Sequence, residues 1–288
     1  MAEDDLNSIK QYLEIPLEGL TAAQRDEIEA EEKVGYITKK YPAIIISDLN
    51  DHKSIVGVRR LLKSIDDTKS ELQPIILPAT VPATLERDLA HFKKTLADWK
   101  YPPAGETRID IKSGLKLTGY QARDQRKVIA CMVSHMRAWQ LLLQSGGGVV
   151  FEHDALVVRS ISCSALQFSS KGIVGLNHPA KATRKSQLYN DRVIERSQKP
   201  RYPALVYNGI SYRVVEAPQV DANLDVPQGI AGNSAYFISK KSAYQMLQLT
   251  KELGLWPNDA LMCKQLIPCN QVFPYMTTLQ DMQSTTTG

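Results

Sequence analysis

Glu152, His153 and Asp154 stand together at the end of an apolar run, Val149-Val150-Phe151, that follows three glycines, Gly146 to Gly148. Two carboxylates around an imidazole offer hard oxygen ligands for a divalent cation, and a group that exchanges protons near neutral pH. The run before them is short, apolar and β-branched, the pattern of a strand buried on both faces, and a glycine turn delivers it. In open α/β sheets, ligands gather outside the carboxyl ends of the strands. A divalent metal and a phosphorylated ligand are therefore expected at residues 152 to 154.

The element that must present this strand is a helix predicted from about Asp124 to Gln144. Its apolar residues, among them Val128, Met132, Met136 and Trp139, run most of the way round, so the helix is expected to be largely buried. Ser134 and His135 are its polar exceptions. Buried histidines are more often structural than catalytic, yet titratable groups with altered properties collect at sites, so both readings stay open for His135.

Upstream, Ala43 to Ser47 reads as a buried strand ending in Asp48-Leu49-Asn50-Asp51-His52, a polar loop suited to a nucleotide. Ile55, Val58, Leu61, Leu62 and Ile65 then recur at helical spacing, leaving Arg59 and Arg60 for phosphate or, more simply, for solvent. Pro74 to Pro78 is a second strand, and Leu85, Leu89, Phe92, Leu96 and Trp99 form one apolar helix stripe. Beyond the acidic triplet come a strand at Ile173 to Leu176, a basic stretch from His178 to Pro203 that reads as a mobile loop, a strand at Ala235 to Ile238 and a helix from Lys240 to Leu253. Such alternation indicates an α/β fold.

The 288 residues, 43% hydrophobic and 23% charged, suffice for one large domain or two small ones. No apolar run approaches the roughly 20 residues needed to span a bilayer, and the acidic start, Glu3-Asp4-Asp5, argues against a signal peptide. Cys131, Cys163, Cys263 and Cys269 lack metal-type spacing and read as free thiols in or near the core. Residues 1 to 38 are expected to form an acidic helical extension, its second helix opened by a capping box at Thr21 to Gln24, and residues 39 to 288 the main domain. Residues 1 to 33 carry ten acidic side chains against three basic ones, so with a whole-chain charge of +4 the remainder holds +11. Basic clusters at Lys53/Arg59/Arg60/Lys63, Arg123/Arg126/Lys127, Lys181/Arg184/Lys185 and Arg192/Arg196/Lys199/Arg201 each read as a solvated face, and together make a polyanionic partner credible.

Taken in order, Cys131-x-x-Ser134-His135-x-x-x-Trp139, Phe151-Glu152-His153-Asp154, Gly232-Asn233-Ser234-Ala235-Tyr236-x-x-Ser239 and Pro257-Asn258-Asp259 resemble the motifs of the family-25 glycosyltransferases, which include lipooligosaccharide and collagen sugar transferases. The likeness runs over roughly residues 43 to 275. It departs at His153, where the family has Asp, and at Asn233, where it has Thr.

The resemblance implies a GT-A-like single domain with a mixed central sheet flanked by helices. It implies that Glu152 and Asp154 hold Mn²⁺ or Mg²⁺ on the diphosphate of a nucleotide sugar, a UDP sugar being expected. On an extended segment, alternation points residues 152 and 154 one way and His153 the other. His153 then contacts the donor, adds a softer ligand or acts as a spacer. Asp259 is the candidate general base, with helix N-capping as the rival role. His135 is placed beside the donor phosphates or the acidic strand; Asp48, Asn50, Arg59 and Ser134 are further donor-binding candidates. The acceptor is expected to be a saccharide or, given the basic body, a hydroxymethylated pyrimidine in phage DNA, reached by extruding the base. The expected location is the cytoplasm, that of the host if the protein is viral. The competing class is a non-catalytic saccharide- or nucleic-acid-binding protein with a decayed transferase site.

Overall fold

The computed structural model describes residues 40 to 281 apart from 170, 171, 181 and 184. The expected N-terminal extension, with its capping box, lies outside the described residues, as do Lys181 and Arg184 of one basic cluster.

The expected α/β architecture is present as an eight-stranded mixed sheet flanked by helices. β1 (Tyr41–Ser47) leads into α1 (His52–Asp67), then β2 (Leu72–Pro78), α2 (Leu85–His91) and a short hairpin of β3 (Thr107–Ile109) and β4 (Lys116–Thr118). α3 (Gln125–Leu142) and β5 (Gly147–Glu152) follow, then β6 (Ala155–Val157), α4 (Cys163–Ser169), β7 (Ile173–Gly175), α5 (Ser186–Ser197), β8 (Leu205–Tyr207) and β9 (Ile210–Glu216). β10 (Ala235–Ser239), α6 (Lys240–Glu252), α7 (Asn258–Leu261), β11 (Cys269–Phe273) and β12 (Thr277–Leu279) complete the described chain. The sheet order is β2-β1-β5-β10-β7-β11-β9-β8, with β12 pairing β6 apart from it. β1 runs parallel to β2 and β5, while β10 lies antiparallel between β5 and β7.

Strand alternation divides the core in two. Ile44, Ile46, Val150, Tyr236 and Ile238 pack on one face against α2, α3 and α6. Ala43, Ile45, Val149, Phe151 and Phe237 pack on the other against α1 and α4. This explains why these strands read as unbroken apolar runs. The glycine turn is a requirement of packing as well as of conformation. Gly147 sits at φ +104°, and a Cβ on Gly148 would lie 2.3 Å from the Pro42 carbonyl oxygen.

Two expectations fail for identifiable reasons. The stripe from Leu85 to Trp99 is not one helix: α2 ends at His91, Lys93 takes a positive φ, and a single 3₁₀ turn, Leu96–Asp98, follows with Leu96 exposed. The basic stretch read as a mobile loop contains α5, which buries Tyr189 and Val193, one helical turn apart, against Val215, Ala231 and Tyr275.

The end of β2 is fastened to α3 by a buried ion pair. Arg137 donates to the Pro78 carbonyl at 2.9 Å, to Thr80 Oγ1 at 3.1 Å and to Asp88 Oδ2 at 3.3 Å. Asp88 also pairs with Arg87 at 2.9 Å and accepts from Thr80 Oγ1 at 2.7 Å, so losing Arg137 does not leave its charge alone. Arg137→Met is expected to cost about 1–3 kcal/mol in unfolding free energy by urea titration, chiefly from the buried Pro78 carbonyl left without its donor; no measurable loss would show that this carbonyl finds another donor.

Candidate active site

Glu152 is the last residue of β5, and alternation puts it on the same face as Val150, the face covered by α3. There it meets His135, whose Nε2 lies 3.0 Å from Glu152 Oε1. His135 is fully buried, and its Nδ1 lies 2.8 Å from the Tyr236 hydroxyl, which also accepts from Trp139 Nε1 at 2.8 Å. Cys131, His135 and Trp139 are spaced four apart and share one side of α3. Cys131 Sγ, His135 and Glu152 offer ligand atoms within 4.8 Å of one another. Because both imidazole nitrogens of His135 are engaged in hydrogen bonds, the trio reads as a polar network and not as a soft-metal site. Burial works to raise the Glu152 carboxyl, but the hydrogen bond from His135, helped by the imidazoles of His135 and His153, outweighs it and holds the group below its ordinary range.

After Glu152 the chain turns, and His153 and Asp154 form that turn before β6 begins. Strict alternation therefore stops at Glu152, so the extended-strand rationale for pairing residues 152 and 154 does not describe this backbone. What it does leave is a carboxylate that needs a partner. Asp154 Oδ1 is buried with no hydrogen bond, and burial, followed by the negative charge of Glu152, pushes the carboxyl up to about 7. An unpaired buried oxygen beside a second carboxylate is a donor set that a hard divalent cation fits. The turn is held from below by Gln280, whose backbone N–H donates to the Asp154 carbonyl at 2.7 Å. Its side-chain amide donates to the carbonyls of Gly57, His153 and Ala155. Burial pushes the His153 imidazole down, although Glu152, Asp51 and Asp48 pull the other way.

Asp259 lies in the first turn of α7, whose N-cap position is Pro257, so the rival N-cap role is not realised. Its Oδ1 accepts the hydroxyl of Tyr120 at 2.7 Å. Tyr120 in turn packs edge-on against Tyr101, which meets Trp256. Asp259 is open to solvent, yet the protein encloses it on its other sides, and that enclosure, with the charge of Glu152, raises its carboxyl against the lowering bonds from Tyr120 and from backbone N–H groups. The same combination of an exposed edge and dense surroundings holds for Tyr120, which is 38% exposed. Asp259 is thus joined to Tyr120 directly and to Glu152 through the charge that Glu152 exerts on it. Tyr120 carried no sequence signal, since its partner stands far along the chain.

The other candidates divide. Asp48 lies where β1 ends, beside β5: its Oδ1 accepts from Asn50 N at 2.9 Å, and its charge reaches His153. Ser134 is buried and spends its hydroxyl on the Thr80 N–H and the Ala130 carbonyl, so it ties α3 to the segment after β2. Arg59 lies exposed on α1, and Arg60 lines a separate cavity of about 380 Å³ beside Gln280. Several members of the basic clusters are neutralised in place, by Lys63–Asp67, Arg126–Glu86, Lys185–Asp221, Lys199–Glu195 and the pairs of Arg196 and Arg201 with Glu216.

A family model described as glycosyltransferase family 25, LPS biosynthesis protein, matches residues 105–262. That is more than half of the chain, and it takes in α3, the acidic turn, β10 and Asp259. The chain belongs to glycosyltransferase family 25. This family-25 chain is accordingly a glycosyltransferase, and its mixed sheet with flanking helices is GT-A-like. The match leaves β1 and its loop, with Asp48 and Asn50, outside its bounds. No curated protein matches the chain. Similar solved structures include the bifunctional glycosyltransferase WbbM without ligands, with a TM-score of 0.35 and 11% identity over 86% of this chain; the chain spans 39% of WbbM. An active-site mutant of LgtC gives a TM-score of 0.38 and 10% identity over 84% of this chain and 88% of LgtC. The galactosyltransferase LgtC in complex with donor and acceptor sugar analogs gives 0.37 and 10%, over 84% and 87%. Among the described residues, no helix is long and apolar enough to cross a membrane.

An aspartate whose carboxyl is raised on folding costs stability as pH climbs from its unfolded value, near 4, towards its folded one, and the full cost is present above about 7. Without added metal, Asp154→Asn is expected to raise Tm at pH 8 and leave it nearly unchanged at pH 4. An equal shift at both pH values would contradict the raised carboxyl.

Proposed function

We propose that this family-25 enzyme transfers a sugar from a nucleotide sugar, a UDP sugar being the first choice, to a hydroxyl of a saccharide, with a divalent cation held by Glu152 and Asp154. The observation that carries this reading is the buried, unpartnered Asp154 oxygen beside Glu152, with Asp259 near enough for its carboxyl to feel the Glu152 charge. When bound, Mn²⁺ or Mg²⁺ would neutralise charge on the departing nucleotide diphosphate. Glu152 and Asp154 bind it, and His135 keeps Glu152 aligned. Asp48 and Asn50, at the end of the neighbouring strand, are the proposed contacts to the nucleoside side of the donor, and His153 to the sugar.

Asp259 is the proposed general base: it takes the proton of the acceptor hydroxyl as that oxygen bonds to the anomeric carbon and the bond to the diphosphate breaks. Tyr120, by donating to Asp259, aims the carboxylate and opposes the rise in its proton affinity. A nucleic-acid acceptor fits less well, because so many of the basic side chains are already paired on the surface.

Hydrolysis and transfer assays with a panel of nucleotide sugars and Mn²⁺ test the reading. Asp154→Ala is expected to abolish metal-dependent turnover, and Asp259→Asn to lower transfer about 10²–10⁴-fold. Absence of metal-dependent turnover with every sugar nucleotide would sink the proposal in favour of a binding protein with a decayed site. A base works only when deprotonated, so activity is lost as pH falls through the Asp259 pKa. Removing the Tyr120 hydroxyl raises that pKa, and Tyr120→Phe should move the acid limb of kcat/KM to higher pH. A limb that stays in place would leave Asp259 without this role.

A further inference from the structure

The hydrogen bonds beneath Glu152 run in one direction, and the chemistry of their members fixes it. Trp139, Tyr236 and His135 are completely buried. An indole N–H only donates, so at 2.8 Å the Tyr236 oxygen must accept from Trp139. The phenol has one proton left to place, and His135 Nδ1, also at 2.8 Å, is the acceptor in reach. Nδ1 is then unprotonated. A neutral imidazole carries its proton on Nε2, which points at Glu152 Oε1, 3.0 Å away.

The alternatives each strand a buried group. With the proton on Nδ1, the Nε2 lone pair would face a carboxylate, and the Tyr236 proton would lose its acceptor. With both nitrogens protonated, Tyr236 would accept twice and its own proton would again have no partner. The rings of His135 and Tyr236 lie near-parallel, 24° apart with centroids at 5.8 Å, and an imidazole turned over would set ring carbons against Tyr236 and Glu152 in place of both nitrogens.

We propose that Trp139 and Tyr236 are positioning residues: they hold His135 as the Nε2–H tautomer, so that it donates to one oxygen of Glu152 and turns the other towards the cation and donor. This rests on the reading of Glu152 as a cation ligand, while the tautomer itself stands on hydrogen-bond accounting alone. Sequence resemblance supplied Trp139 and Tyr236 only as motif positions. Their shared contact gives both a task, although they stand on different elements, α3 and β10.

Nitrogen NMR of ¹⁵N-histidine-labelled protein, with His135 assigned by its loss in His135→Gln, reads the tautomer directly. Wild type is expected to show protonated Nε2 and unprotonated Nδ1, and folded Tyr236→Phe to lose that signature, with the Mn²⁺ concentration needed for half-activation rising about 10–100-fold. Gln at 135 keeps a donor towards Glu152 and an acceptor towards Tyr236, so it should outperform His135→Leu by at least about tenfold in Mn²⁺-dependent turnover. A protonated Nδ1 in the wild type, or a signature unchanged in Tyr236→Phe, overturns the proposal. If the tautomer shifts in Tyr236→Phe while Mn²⁺ activation does not move, the tautomer assignment is supported, and it is the reading of Glu152 as a cation ligand that fails.

Discussion

A carboxylate at the end of a doubly buried strand must be held by something, and here it is held by the imidazole of His135, 3.0 Å away. Around that bond the rest of the molecule is arranged. α3 has to lie flat on the sheet to bring His135 level with the last residue of β5, which requires a tight glycine connection and a helix apolar on nearly all sides. β10 has to run antiparallel beside β5 so that Tyr236, opposite Val150, stands under the imidazole. Ser134 and Arg137, on the same helix, bind the segment after β2 and fix the helix lengthwise.

The second constraint is electrostatic. Glu152 and Asp154 crowd together near an enclosed wall, and the chain divides the cost unequally: Glu152 has its histidine, whereas Asp154 has a buried oxygen with no partner. Asp259 stands apart, with a tyrosine instead of a histidine for company. Three carboxylates with three kinds of support are suited to separate tasks, and the difference in support is what distinguishes the groups that would hold a cation from the one that would accept a proton.

Much of this was legible in the sequence where a single element carries the signal. The apolar wheel of α3 and the unbroken runs of β1 and β5 gave their places to within a few residues, because burial on every side leaves a pattern that needs no partner to be read. The acidic triplet stood out for the converse reason, as polar groups where an apolar strand ends. Pairs drawn from distant segments were not legible: Tyr120 belongs to Asp259 only through the fold, and Gln280 reaches the acidic turn from the far end of the chain. The helix α5 was hidden by its basic surface, since only Tyr189 and Val193 announce its buried side. Alternation also misled at Asp154, because the backbone turns one residue earlier than an extended reading allows.

Gln280 holds three carbonyls and donates its own N–H to a fourth around the acidic turn, so the geometry of that turn is shared between the middle of the chain and the residue that follows β12. During synthesis, Glu152, His153 and Asp154 emerge well before the residue that braces them. The sheet can form around β5 first, but the turn reaches its finished shape only after β12 has been made and has paired with β6. A nascent chain therefore holds its three acidic-turn residues without the brace until its last described segment arrives.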